Sequence, residues 1–150
     1  MRAKGCLACC LGLLAVGAQG CGGVGVERHD AEPLRVLAIS PRLGEIDVPA
    51  DSAIVVVFSA RVVAGPDSAA GEVNPETFRV LGPGGQTVVG QRSISSLDST
   101  AQATVVFRSD APLAAGLHEV VLGADLRGTS AQGSTAPLGV EIHTTFEVEP

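Results

Sequence analysis

From Leu34 onward, short runs of β-branched and apolar residues alternate with clusters of Gly, Pro, Asp and Ser, at spacings of roughly ten to twenty residues. Seven runs read as strands: 35–39, 53–59, 77–81, 86–89, 103–108, 117–122 and 139–148. In 53–59, Ile54, Val56 and Phe58 share one side and Val55 and Val57 the other. Apolar residues on both faces predict a central strand, covered outside by a loop or a partner, with Val88 and Val106 as neighbours of Val55 and Val57. In 139–148, Val140, Ile142, Thr144, Phe146 and Val148 alternate with Glu141, His143, Thr145 and Glu147, which predicts one buried face and one wet face. Val105 with Phe107, and Val120 with Leu122, make similar inward pairs. No stretch of ten or more residues keeps a 3.6-residue period, and 75–77 reads as one helical turn at most. The pattern predicts an all-β antiparallel sandwich of about seven strands. Its candidate core is Ile54, Val56, Phe58, Phe78, Val105, Phe107, Val120, Leu122, Ile142 and Phe146.

The connections carry their own signals. Gly82-Pro83-Gly84-Gly85 predicts a tight turn with positions free to take positive φ. It is not a phosphate-binding loop, because no helix and no Lys follow it. Residues 41–49 and 110–116 read as polar or proline-bounded connections, and the serine cluster at 93–99 reads as a loop.

The first twenty residues follow a different logic. Arg2 and Lys4 precede thirteen uncharged residues at 6–18, too few for the roughly 20 that a membrane-spanning helix needs. This is the length of a secretory-signal apolar region, and the small residues Gly17, Ala18 and Gly20 lead directly to Cys21. The arrangement resembles a bacterial lipoprotein signal, in which that cysteine takes the lipid and becomes the new N-terminus. Such signals usually place Leu three residues before the cysteine and a small residue two before it. Here Ala18 and Gln19 hold those places, so ordinary cleavage near Ala18 or Gly20 and release of a soluble protein is the alternative. Gly22, where an aspartate would resemble an inner-membrane retention signal, leans toward the outer membrane.

The four cysteines are Cys6, Cys9, Cys10 and Cys21, so none lies in the folded part, and its stability rests on its core rather than on a disulfide. The CxxC within the apolar run has no second pair and reads as signal-region filler, not as a redox or zinc site. An unpaired Cys21 in an oxidising compartment invites intermolecular pairing, a liability that lipidation removes. Residues 22–33 have three glycines and only two valines; this composition predicts a flexible tether. The expected organisation is a signal at 1–20, a lipid-anchored tether at 21–33 and one sandwich domain at 34–150.

The order of motifs from about Val36 to Phe146 resembles the bacterial Ig-like domain of the SbsA type. Ile39-Ser40-Pro41 and Asp47-Val48-Pro49 match its opening segments, and Ile54-Val55-Val56-Val57-Phe58-Ser59 matches its valine-rich run ending in Phe-Ser. Thr77-Phe78-Arg79-Val80, the Leu113-Ala114-Ala115-Gly116 turn and the terminal Thr144-Thr145-Phe146 follow in the family's order. The resemblance implies an Ig-like fold. It also implies that Leu117-His118 stands where the family packs a Tyr, and Thr144 where it has an inward Trp.

Chemistry is sparsely signalled. His29, His118 and His143 show no metal-ligand spacing, and the last two are expected on different faces of the sheet. The acidic turn at 45–51 lacks the alternate spacing of a calcium loop. There is no GxSxG, and Glu147 and Glu149 share a face near the terminus as ordinary solvated acids. Without Trp or Tyr, a sugar-stacking platform has little material, so carbohydrate is an unfavoured ligand. Removal of residues 1–20 leaves eight basic and sixteen acidic residues, a charge of -8 with no Lys, which repels nucleic acid. The expectation is a non-enzymatic cell-envelope lipoprotein with a single Ig-like domain, in a structural or protein-binding role, without cofactor. It would meet the membrane through its N-terminal lipid and an unknown envelope or extracellular protein through its surface. A secreted soluble Ig-like binding protein is the alternative, and a small hydrolase or metal-binding protein a remoter one.

Overall fold

The computed structural model describes residues 32–65, 71–97 and 101–150; Cys21, the signal and most of the tether lie outside them. Ten strands follow in chain order: β1 (Val36–Ser40), β2 (Glu45–Val48), β3 (Ile54–Phe58), β4 (Phe78–Leu81), β5 (Gly90–Leu97), β6 (Gln102–Ser109), β7 (Gly116–Leu122), β8 (Arg127–Thr129), β9 (Thr135–Pro137) and β10 (Ile142–Val148). They form a four-stranded sheet in the order β1-β3-β6-β5, a second in the order β2-β10-β7-β4, and a small β8-β9 hairpin. Among the described residues all pairings between these strands are antiparallel except β10 with β2, and an isolated bridge between Ala64 and Val73 is parallel as well. The two large sheets reproduce the immunoglobulin arrangement, in which an ABED sheet faces a CFG sheet. Here β2 extends the latter, and the chain is an all-β, Ig-like sandwich with no helix among the described residues.

Alternation along the strands builds the core. Ile54, Val56 and Phe58 on β3 meet Phe107, Val105 and Ala103 on β6, and all six are buried. On the facing sheet Phe78 and Val80 meet Leu122 and Val120, equally buried. All four phenylalanines, Phe58, Phe78, Phe107 and Phe146, are at most 1% exposed. Ile142 is half-buried and packs against this cluster from its edge. Leu34 is the first buried residue of the described chain, and its N–H donates to Pro137 O at 3.1 Å.

Several expectations are corrected. Residues 86–89 form no strand. They make a single bridge, Leu81 with Thr87, and Val88 N–H donates to Val80 O, so the Gly82–Gln86 turn folds the chain back along β4. In that turn Gly84 and Gly85 have φ of 85° and 83°. Val88 therefore packs against the core instead of beside Val55, whereas Val106 is Val55's register partner. The strand that follows is β5, which runs through most of the expected serine loop. Its first residue must be Gly, because a Cβ at Gly90 would lie 2.3 Å from Arg108 O and 2.6 Å from the Phe107 ring. β2 lies inside the expected 41–49 connection, and the β8-β9 hairpin was unforeseen. Val140 is 64% exposed rather than inward, because Gly139 turns at φ 81° and Leu138 takes the buried position. The turn at 75–77 is closed by Phe78 N–H to Asn74 O, with Asn74 Oδ1 accepting the N–H groups of Glu76 and Thr77.

Candidate functional site

The outer surface of the β2-β10-β7-β4 sheet carries the densest polar grouping. β7 and β10 pair in unbroken register, which places His143 opposite Val121 and Thr145 opposite Glu119; β4 places Arg79 on Val121's other side. His143 Nδ1 lies 2.6 Å from Glu119 Oε1, and its Nε2 lies 2.9 Å from Glu141 Oε1. The other oxygen of Glu141, Oε2, meets Arg79 Nη2 at 3.6 Å. A carboxylate only accepts, so both imidazole nitrogens donate and the ring is an imidazolium. The pKa of His143 is raised above its ordinary 6.5, first by the hydrogen bond to Glu119, with Glu141 adding to it and burial opposing.

Beneath this row sits Val121, which points outward yet is 2% exposed. The stems of Arg79 and His143 flank it across both strand pairings, as cross-strand neighbours about 5 Å away do. The row is therefore a roof over an apolar residue as well as a charged surface. Both His143 nitrogens are committed to carboxylates, so the ring is held between them rather than offered as an open basic site.

The other histidine among the described residues faces inward, and His29 lies outside them. His118 is 1% exposed and stacks on Phe146 with centroids 5.3 Å apart, in the place where a packed aromatic is expected from the resemblance. Its Nδ1 is 3.0 Å from Gly116 O, so that nitrogen carries the proton, and Nε2 is left buried without a protein partner. His118 also lines a cavity of about 290 Å³ with Pro83, Val88, Pro112, Leu113 and Ala114 at one end of the sandwich. The two histidines thus lie on opposite faces of one sheet and do not converge. No group of three metal-ligating side chains forms among the described residues. Thr144 is 7% exposed, on the inner face.

Arg92 carries no signal in the sequence and joins the two sheets. From β5 it crosses to β4, where Nε and Nη2 donate to Phe78 O at 3.0 and 2.8 Å, and its guanidinium stands 5.0 Å from the Phe107 ring centroid and 5.8 Å from that of Phe78. A lone Arg among serines is indistinguishable in sequence from a solvated surface charge. Cys21, the candidate lipid site, lies outside the described residues.

No family model matches this chain, and no curated protein does.

Proposed function

We propose that this chain is a non-enzymatic cell-envelope lipoprotein: an Ig-like domain of the SbsA type, anchored through lipid on Cys21 and acting by binding protein. The observation that carries the reading is the order of the N-terminal signal, with Arg2 and Lys4, the uncharged run at 6–18 and small residues ending in Cys21. The sandwich supports it from the other side. Its first buried residue, Leu34, follows Cys21 by thirteen residues, a reach of at most about 45 Å when fully extended. A domain so tethered works close to the membrane surface, and its rigid sheet faces are what it offers to a partner. The absence of the retention aspartate at Gly22 favours the outer membrane. A secreted soluble protein is the second reading, supported by Ala18 and Gln19 in the signal.

Intact-mass spectrometry of the full chain expressed in a bacterial host, beside a Cys21→Ala form, separates the two. The lipoprotein reading expects a mature chain that begins at Cys21 and is heavier by a diacylglyceryl group and an acyl chain, with the alanine form unmodified. An unmodified chain cut near Ala18 or Gly20 would replace it with the secreted reading.

A further inference from the structure

Every open sheet has edges, and an edge strand with free N–H and C=O groups is a template for another strand unless something blocks it. Three of the four edges of the large sheets are blocked. β1 has five residues, a register shift between Val36 and Ala38, and Pro41 directly after it. β2 has four residues, two of them acidic, with Asp47 at a φ of 56° and a register shift along its pairing. β4 has four residues, and two of its carbonyls are already taken, Phe78 O by Arg92 and Val80 O by Val88 N–H.

β5 has none of these devices. It is eight residues long, pairs with β6 without a register shift from Gly90 to Leu97, and contains no proline. Among the described residues no strand lies beyond it. Its one charged side chain, Arg92, turns into the sandwich, where it also donates to Gly90 O, the first carbonyl of the strand, at 3.3 Å. The outward positions Gln91, Ser93 and Ser95 are uncharged. Behind Ser93 and Ser95 the surface is uncharged too: Ser93, Val106, Val55 and Ser40 form one row across the sheet, and Ser95, Thr104, Val57 and Ala38 the next, while the exposed Arg108 stands beside Gln91 at the start of the strand.

We propose that β5 is a self-association edge, and that two copies of the chain pair through it antiparallel, about a two-fold axis, to make one continuous eight-stranded sheet. Charge selects the second copy as the occupant. The whole chain has a net charge of -6, so two copies repel on most approaches, but the outward residues of β5 that meet across the join carry no charge, and antiparallel pairing sets the two Arg108 side chains beside Gln91 at opposite ends of it. Antiparallel pairing of a strand with itself is isologous and closes at two, which caps both open edges at once. Paired residues share a face, so outward residues meet outward residues: Ser93 faces either itself or Ser95 of the other copy. Serine pairs at these positions can exchange hydrogen bonds across the join.

The test uses the chain from Gly22 onward, which keeps every residue of the sandwich core and carries neither the apolar run at 6–18 nor any cysteine, so lipid, signal and thiols are removed as causes of association and the outcome is independent of the lipoprotein reading. Sedimentation over a concentration series is expected to show the monomer passing to twice its mass and stopping there. Ser93→Lys with Ser95→Lys puts like charges opposite each other in either register and is expected to weaken the dimer by about tenfold or more. Leu117→Lys with Val140→Lys adds the same charge at exposed positions of the other sheet and is expected to leave association unchanged. Mixing the double-Lys chain with one carrying Ser93→Glu and Ser95→Glu is expected to restore a dimer containing one of each. Circular dichroism confirms that each variant is folded. A chain that stays monomeric at all concentrations, association that grows past two copies, or a dimer indifferent to the Ser93 and Ser95 lysines overturns the proposal.

Discussion

The two large sheets bury similar inner faces and present opposite outer ones. On β2-β10-β7-β4, Arg79, Glu119, Glu141 and His143 join in a chain of contacts that spans three strands and closes over Val121. On β1-β3-β6-β5 the rows through Ser93 and Ser95 hold only Ser, Thr, Val and Ala, Arg108 stands apart beside Gln91, and Val55, Val57 and Val106 stay half-buried with no roof. The inner faces are constrained alike, because each must fill the same core at crystal-like density. The outer faces are free of that demand, so their difference is where recognition can be written. A face whose charges are joined to one another resists unpaired approach; a face of small, mostly uncharged residues with an open edge invites it.

Substitutions that test this contrast can be ordered by size of effect. Phe107→Ala removes a ring from the core common to both sheets and the platform under Arg92, and is expected to cost about 3–5 kcal/mol in urea unfolding. A cost below that of a surface change would mean the sheets are not packed through this ring. Arg92→Ala breaks the crossing from β5 to β4 and leaves Phe78 O without its charged donors, at a cost of about 2–3 kcal/mol by the same assay. Arg92→Lys should recover only part of this, because a single ammonium cannot reproduce the two bonds and the stacking.

The sharpest comparison uses one substitution on both outer faces. Val121→Thr places a hydroxyl under the charged roof at a 2% exposed position and is expected to cost about 1–3 kcal/mol. Val57→Thr, half-buried on the unroofed face, is expected to change stability by no more than about 0.5 kcal/mol. Equal effects in denaturant unfolding would erase the difference between the faces.

The smallest effect is one of pH. The folded pKa of His143 is raised, so its contribution is complete below the unfolded value of 6.5 and is lost as pH rises through the higher folded value. The melting temperature of the native chain should fall slightly across that window, and His143→Gln should remove this part of the slope. An NMR titration of the His143 ring that returns an ordinary or lowered pKa contradicts the imidazolium assignment.

The strands most legible in the sequence were those whose inner face is marked by branched or aromatic residues. Ile54, Val56 and Phe58, or Val120 and Leu122, announce a buried side because nothing else explains their alternation. β5 had no such mark. Its inner positions hold Arg92 and Ile94 among Gln and Ser, residues that read locally as a loop. Of the charged cluster, His143 and Glu141 were visible as a wet face, but Glu119 and Arg79 come from other strands, and only pairing register brings them within reach.

The sequence by itself determined the class of fold and the inward phenylalanines and valines, because burial of apolar side chains is a local demand repeated every second residue. The tertiary structure alone decided which edges are closed, that Arg92 serves the interior, and that Val121 is covered. Each of these depends on which residue of a distant strand lies opposite, and register is fixed only when whole sheets pack.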